Sequence, residues 1–202
     1  MNKFGGNIYE GIQPSGIEKV PGWNSRLPIF GELIREVRPG TIIEVGTWLG
    51  ASAIHMALQC SKANIKAKIW CVDTWLGAEE FWYSDLKDRD LKIRNGYPQV
   101  YFDFLSNVVQ HGHQDTIIPV PSTSLIAARV LASQGVLADL VYIDGSHHHD
   151  DVAADLKAYL PLIRSGGVMF GDDYDFEGVK TAVIKTLPVH EHTATHWIYR
   201  KP

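Results

Sequence analysis

The sequence has few of the features that mark secreted, membrane-spanning or nucleic-acid-binding proteins. It contains only 2 cysteines among 202 residues, too few for a disulfide framework or a cysteine-rich metal site. Acidic residues outnumber basic ones, 23 against 19, so the chain lacks the basic footprint of a nucleic-acid-binding protein. No N-terminal signal pattern is visible, and no apolar run approaches the roughly 18 residues of a membrane span. We therefore expect a protein of the reducing cytoplasm, with no nucleic-acid partner and no membrane partner.

Short apolar segments alternate along the chain with segments in which apolar residues recur every three or four positions. The first kind is typical of buried strands and the second of amphipathic helices. The predicted strands are 41–45, 68–73, 116–120, 139–143 and 168–170, and the predicted helices are 27–37, 53–59, 98–112, 125–132, 152–163 and 178–187. This order predicts an α/β fold with a doubly wound, mostly parallel sheet. The alternating pattern of 195–199 predicts an antiparallel last strand.

Two segments interrupt this alternation. Residues 1–25 have little periodicity and predict an irregular arm, which either packs over a site through Tyr9 and Trp23 or is poorly ordered. Residues 75–97 mix aromatic with charged residues and predict an inserted, lid-like segment. Its aromatic residues either line a pocket or pack the insertion down, and its charges are expected to form a solvated face. We expect residues 1–202 to form a single domain.

The segment 41–52, TIIEVGTWLGAS, combines a strand, a turn with two glycines and the start of a helix. Gly46 and Gly50 allow the backbone to bend sharply and allow a ligand to approach it closely. The helix that follows offers free N–H groups at its N-terminus. These features indicate a cofactor site at the end of the first strand, although a simple strand-to-helix connection has the same pattern.

Polar residues with acid–base or metal-binding chemistry follow several predicted strands. They are Glu44, Asp73, Asp144, His147, Asp172 and Asp173. In a parallel sheet these positions meet at one edge, where ligands bind. Asp73, at the tip of the second strand, is suited to bind ribose hydroxyls or to cap a turn. Asp144, Asp172 and Asp173 offer three hard oxygen ligands for Mg²⁺ or Ca²⁺, unless Asp144 caps the next helix and the other two form a polar turn.

The segment 44–52 resembles the first motif of class I S-adenosylmethionine-dependent methyltransferases. The form of this motif with a bulky residue, Trp48, in place of a middle glycine resembles that of the catechol O-methyltransferase-like branch. The segment 143–147, followed by Gly166-Gly167 and 171–173, is still more similar to macrolide-sugar O-methyltransferases and cephalosporin-hydroxylase-like proteins. The resemblance covers 27–190 and implies a seven-stranded, Rossmann-like sheet. The chain departs from both groups at Asp172-Asp173, where the macrolide group has Glu-Asp and the catechol branch has Asp-Asn.

The resemblance also implies a role for each candidate residue. S-adenosylmethionine is expected to bind at Glu44, Gly46, Thr47, Trp48, Gly50, Ser52, Asp73, Thr74, Ser122 and Asp144. Within this set, Asp73 is expected to meet the ribose and Ser122 the adenine. Residues 122–124 could also cap the next helix, and the two roles are compatible. Mg²⁺ or another divalent cation is expected on Asp144, Asp172 and Asp173. His147 is expected to be the base that removes a proton from the acceptor.

The implied reaction is metal-assisted O-methylation of a small hydroxylated molecule. A nicotinamide-dependent oxidoreductase is disfavoured because the first turn lacks the G-x-G-x-x-G spacing. A protein that binds S-adenosylmethionine without turnover, or a hydroxylase-like relative with a metal on His147 and two aspartates, remains an alternative. The other histidines near the motifs are expected to lie at the surface: His148 and His149 at a helix start, and His190, His192 and His196 in a late hairpin. The acceptor and the oligomeric state, including a homo-oligomer, are left open.

Overall fold

The computed structural model describes residues 7–83, 91–187 and 189–202. Within these ranges the helices are α1 (Pro28–Val37), α2 (Ala51–Lys62), α3 (Glu79–Tyr83), α4 (Val100–Gln110), α5 (Ser124–Ser133), α6 (His149–Tyr159) and α7 (Glu177–Thr186). The strands are β1 (Thr41–Val45), β2 (Lys68–Asp73), β3 (Ile117–Pro121), β4 (Ala138–Ile143), β5 (Ile163–Gly171), β6 (Glu191–His192) and β7 (Trp197–Arg200). The charged part of the predicted insertion, 84–90, lies outside the described residues.

The strands form one seven-stranded sheet in the order β3-β2-β1-β4-β5-β7-β6. The pairs from β3 to β5 are parallel, whereas β7 runs antiparallel to β5 and to β6. The predicted fold, a mostly parallel Rossmann-like sheet with an antiparallel last strand, is therefore confirmed. The strand order reverses between β1 and β4, and the helices that follow these two strands, α2 and α6, lie in different cores.

Helices cover both faces of the sheet because its central strands are apolar on both sides. Ile42 and Ile43 are both fully buried, and they lie in different cores. The core on the side of Ile42 includes residues of α1, α2 and α4, and the core on the side of Ile43 includes residues of α5, α6 and α7. Each fully buried isoleucine stabilises the fold by about 1.5–3 kcal/mol, so this double burial fixes the position of β1.

The boundary between α6 and β5 differs from the sequence-based prediction. The apolar spacing predicts one helix over 152–163, but α6 ends at Tyr159, a single 3-10 turn spans Leu160–Leu162, and β5 begins at Ile163. Pro161 explains the early end, because proline lacks the N–H that the helix interior requires. The two-residue strand β6 is too short for its pattern to be recognised in the sequence.

Residues 7–27 contain neither helix nor strand, yet several of them pack on the sheet. The Tyr9 hydroxyl donates a hydrogen bond of 2.9 Å to the Ile117 carbonyl on β3. Val20 is buried, and Ile8 and Ile12 pack against the core on the side of Ile42. This arm reaches the carboxyl edge of the sheet at residues 23–25. Among the described residues, none of the helices is both long enough and apolar enough to cross a bilayer.

Candidate cofactor and metal site

The loop between β1 and α2 approaches the loop after β4 closely. Gly46 has φ of 84°, and a Cβ atom there would lie 1.9 Å from the Asp144 carbonyl oxygen. Gly50, the N-cap of α2, has φ of 88°, and Trp48 between the two glycines also has a positive φ, 46°. A side chain is strained in this region, so the glycines are required by the turn itself. The helix N-terminus behind Gly50 has no side-chain cap.

Glu44, on β1, holds this loop through hydrogen bonds. Its carboxylate is fully buried, and it accepts hydrogen bonds from the hydroxyls of Thr47, at 2.8 Å, and Ser52. The thiol of Cys71 on β2 lies 3.4 Å from the same carboxylate. Burial raises the pKa of Glu44 to about 7, although the hydrogen bonds from Ser52 and Thr47 act in the opposite direction. The side chains of Glu44, Thr47 and Ser52, all predicted to bind the cofactor, therefore bind one another in this structure.

Asp73, at the end of β2, fixes the same loop from the side. One carboxylate oxygen, Oδ2, accepts hydrogen bonds from the backbone N–H groups of Thr47, at 2.9 Å, and Trp48, at 2.8 Å. The other oxygen, Oδ1, accepts one from the N–H of Trp75 at 2.7 Å. A carboxylate has about four acceptor positions, so roughly one remains for a ribose hydroxyl. The sequence left open that Asp73 caps a turn, and the structure shows that its carboxylate does so.

Ser122 and Thr74 lie beside Asp73. The Ser122 N–H donates to the Asp73 carbonyl at 3.0 Å, and the Thr74 hydroxyl accepts from the N–H of Leu76 at 3.2 Å. Ser122 borders a cavity of about 350 Å³, whose other walls include Ile8, Tyr101, Pro119, Val120 and Pro121. The N-cap of α5 is Thr123, and its side chain makes no capping hydrogen bond. The suggested capping role of Ser122 is therefore not observed, and Ser122 borders a cavity with largely apolar walls.

Asp144, Asp172 and Asp173 converge at the ends of β4 and β5. One carboxylate oxygen from each lies within 4.8 Å of the other two. Burial, followed by the charges of Asp172 and Asp173, raises the pKa of Asp144 to about 8. Burial likewise raises the pKa of Asp172. Three acids so close together repel one another unless a cation joins them, and their oxygen atoms suit a hard divalent cation.

His147 lies beside this cluster in the loop between β4 and α6. Its Nε2 atom is 2.9 Å from Oδ2 of Asp173, and its ring stacks on Phe176 with centroids 4.5 Å apart. Its other nitrogen, Nδ1, is 3.7 Å from the Glu80 carboxylate on α3. The hydrogen bond with Asp173 raises the pKa of His147. The predicted base is thus half-buried, held by one acid and in contact with the predicted insertion.

The prediction that His196 lies at the surface is wrong. This residue is 4% exposed, and its Nε2 atom is 3.3 Å from Oδ1 of Asp172. His192 is exposed, as predicted, and so is His148, which pairs with Glu79 of α3 at 2.7 Å. The sequence contained one signal for this position of His196. The predicted last strand is antiparallel, and if it pairs with β5, the start of the last strand lies opposite the end of β5, where Asp172 follows.

Three aromatic residues from separate segments stack at the edge of the glycine loop. The ring centroid of Trp48 lies 4.9 Å from that of Trp23 in the arm and 5.6 Å from that of Phe81 in α3. Trp23 is 69% exposed, and the indole N–H of Trp48 is buried without a hydrogen-bond partner among the described residues. The arm and the insertion therefore meet the loop at this point.

Curated proteins with sequence similarity to this chain include a methyltransferase. The 4'-O-methyltransferase for 8-demethyl-8-(2,3-dimethoxy-alpha-L-rhamnosyl)-tetracenomycin-C from Streptomyces olivaceus is 26% identical over 150 residues, which are 72% of this chain and 57% of that protein. An uncharacterised protein of Sinorhizobium fredii is 23% identical over 163 residues, which are 80% of this chain. The chain spans only 16% to 57% of the length of the curated relatives that it matches.

Solved structures of methyltransferases have the same fold. The calicheamicin methyltransferase CalS11 superposes with a TM-score of 0.60 at 20% identity, covering 85% of this chain and 76% of that one. An O-methyltransferase from Bacillus cereus, solved in complex with SAH, gives a TM-score of 0.60 at 13% identity, covering 91% and 82%. A family model described as a methyltransferase domain matches residues 43–174, which include the glycine loop and the acids after β4 and β5. The chain therefore belongs to the methyltransferase domain family.

Proposed function

We propose that this chain is an S-adenosylmethionine-dependent O-methyltransferase that acts, with a divalent cation, on a small hydroxylated molecule. The observation that carries the proposal is the convergence of Asp144, Asp172 and Asp173 beside His147, at the same sheet edge as the glycine loop. The tetracenomycin-derivative 4'-O-methyltransferase and CalS11 support the reaction class by their names, although their identities to this chain are low. We further propose that residues 1–202 act as one methyltransferase domain.

The residues around the glycine loop fit the methyl donor. The positive φ angles at Gly46 and Gly50 shape the turn, and the N-terminus of α2 behind it has no side-chain cap, which leaves its backbone N–H groups available to a ligand. Asp73 retains an acceptor position, and Ser122 borders a cavity of about 350 Å³ for a planar base. When bound, S-adenosylmethionine supplies a methyl group that its sulfonium has already activated. The chain's contribution is therefore to orient the donor and to exclude water.

The acid cluster fits a divalent cation, with Mg²⁺ as our first choice because all three ligands are carboxylates. A cation held by Asp144, Asp172 and Asp173 would lower the pKa of a hydroxyl group that it binds. The raised pKa of Asp144, about 8, supports this assignment, since the cluster is poorly compensated by the protein alone.

We propose that His147 takes the acceptor's proton. If Nε2 carries a hydrogen and donates it to Asp173, then Nδ1 has a free lone pair that can accept a proton. Asp173 and the stacked Phe176 fix the ring, so that the proton transfer occurs at one defined atom. This arrangement resembles other sites in which an acid orients a basic imidazole.

One observation favours a second candidate, a hydroxylase-like relative that uses a transition metal. A second histidine, His196, lies 3.3 Å from Asp172, and imidazole suits iron better than it suits Mg²⁺. Against it, neither histidine belongs to the group of ligand atoms that lie within 4.8 Å of one another. We therefore rank this candidate second.

Calorimetry tests the proposal before the acceptor is known. S-adenosylmethionine and its demethylated product should bind with micromolar affinity, and NAD should not. Mg²⁺ should raise the melting temperature, because a ligand of the native state stabilises it. Absence of binding by both adenosyl compounds would rule out a methyltransferase. Stabilisation by Fe²⁺ but not by Mg²⁺ would favour the hydroxylase-like candidate.

A further inference from the structure

Asp172 and His196 are cross-strand neighbours. In the antiparallel pair of β5 and β7, Gly171 is in register with Trp197, so the next positions outward are Asp172 and His196. Residues directly opposite each other in such a pair place their side chains on the same face, about 5 Å apart at Cβ. The topology of the last strand therefore brings this imidazole to this carboxylate.

The Asp172 carboxylate accepts hydrogen bonds from the backbone of Asp173 and from the Asn24 side chain. The atoms that Asp172 and His196 turn toward each other, however, have no other partner in the described part of the chain. Both residues are almost fully buried, with side-chain exposures of 3% for Asp172 and 5% for His196. Oδ1 of Asp172 and Nε2 of His196 are 3.3 Å apart, and neither atom has a hydrogen-bond partner with good geometry among the described residues. A buried polar atom left unpaired destabilises a fold, so a small rotation that aligns these two atoms is strongly favoured.

The other side of the imidazole is already held. Nδ1 lies 2.7 Å from the Thr195 hydroxyl, and the His196 N–H donates to the Thr193 hydroxyl at 3.0 Å. The Thr195 hydroxyl can donate to Nδ1, in which case Nε2 carries the hydrogen that points at Asp172. The turn over 193–196 thus sets both the position of the ring and the direction of its Nε2–H group.

We propose that His196 is a positioning residue of the cation site: it holds Oδ1 of Asp172 and thereby fixes the orientation of this carboxylate relative to Asp144 and Asp173. This inference rests on the divalent cation of the proposed function. His196 acts through Asp172 and not as a ligand, because the close group of ligand atoms comprises only the three acids. Such indirect contacts fix the geometry of metal-binding carboxylates, and their loss typically weakens metal binding by about 10- to 100-fold.

The test measures binding of Mn²⁺, the probe metal, from the electron paramagnetic resonance signal of the free ion. The informative variants are His196→Gln and His196→Asn, which are matched in polarity. The Gln amide nitrogen reaches the position of Nε2, whereas the Asn amide nitrogen reaches only that of Nδ1. We expect His196→Asn to weaken Mn²⁺ binding by about 10- to 100-fold, and His196→Gln to remain within about 5-fold of the wild type.

Two controls separate this role from a structural one. Each variant is titrated with the demethylated cofactor, whose affinity should stay within about 2-fold if the fold is intact. His192→Ala, an exposed position in the same hairpin, should bind Mn²⁺ like the wild type.

If both His196 variants bind Mn²⁺ as tightly as the wild type does, the proposal is overturned while the cation site remains in place. Equal losses in both would overturn the hydrogen bond from Nε2 as its basis. If the wild type binds no Mn²⁺ at all, the metal part of the proposed function fails, and this inference fails with it.

Discussion

Gly46 lies so close to Asp144 that a Cβ atom on the glycine would be 1.9 Å from the Asp144 carbonyl oxygen. This contact joins the loop assigned to the methyl donor with the loop that carries the first of the three acids. The two loops are therefore packed against each other at the backbone, and a change at this contact should disturb both of them.

The first prediction concerns Gly46→Ala. The added methyl group meets backbone atoms, which cannot move aside, and φ is 84°. We expect a loss of several kcal/mol in the free energy of unfolding, measured with urea. The matched control is Gly112→Ala, where φ is 70° but no atom lies within 4 Å of the added group. It should lose only about 1–2 kcal/mol, the cost of the left-handed backbone. Equal losses in the two variants would contradict the close contact.

The second prediction concerns the pH dependence of stability and Glu44. Its pKa is about 7 in the folded protein against an ordinary value of 4.5, so the native state holds this proton more tightly than the unfolded state does. The resulting stabilisation is complete below pH 4.5 and is lost as the pH rises through 7. The upper limit of this loss is about 3–4 kcal/mol, at about 1.4 kcal/mol for each unit between pH 4.5 and pH 7.

Glu44→Gln removes this titration while keeping the size of the side chain. Relative to the wild type, the variant should gain stability between about pH 4.5 and pH 7, and the difference should level off above pH 7. Urea unfolding at four pH values measures the difference. Parallel curves for the two proteins would show that Glu44 titrates normally.

The third prediction concerns His147. If its imidazole accepts the acceptor's proton, His147→Gln should lower the rate of methyl transfer by about 10²- to 10⁴-fold. Binding of the demethylated cofactor should change little, since His147 contacts Asp173, Glu80 and Phe176 and not the glycine loop. The control is the neighbouring His148→Gln, which is exposed and pairs with Glu79. If His147→Gln and His148→Gln transfer the methyl group at similar rates, His147 is not the base.

The fourth prediction concerns Trp23, which is 69% exposed yet stacks on Trp48 with centroids 4.9 Å apart. If this stack forms a wall of the acceptor site, Trp23→Ala should raise KM for the acceptor by about 3- to 10-fold, the value of one aromatic contact. Trp82→Ala serves as the control, because its indole donates to Leu76 and Trp82 makes no stacking contact in the described structure. An unchanged KM would leave Trp23 with a packing role alone.

The sequence predicts the part of the site that follows directly from parallel strands. Asp144, Asp172 and Asp173 each come just after an apolar strand, and such positions meet wherever the sheet is parallel. His196 could not be found in this way, because its place depends on the antiparallel pairing of β5 with β7, a contact between distant segments. The sequence left open that Trp23 packs over a site, but its stack with Trp48 and Phe81 could not be predicted, because two of the three residues lie in irregular or inserted segments without periodicity.

The helix that the sequence predicts over 152–163 fails for a local reason. Apolar spacing continues past Tyr159, but Pro161 removes a backbone donor and stops the helix. The role of Asp73 shows a different limit: its acidic side chain was expected to bind a ribose, and its hydrogen bonds to the loop backbone depend on the fold of the turn.

Transfer of a labelled methyl group from S-adenosylmethionine to a library of small hydroxylated molecules tests the central claim most directly. It should be measured with and without a chelator, for the wild type and for the double variant Asp172→Asn with Asp173→Asn. The account predicts that the wild type loses transfer in the chelator and regains it with Mg²⁺, and that the double variant binds the demethylated cofactor but transfers no methyl group. Transfer by the double variant in the presence of chelator would contradict it.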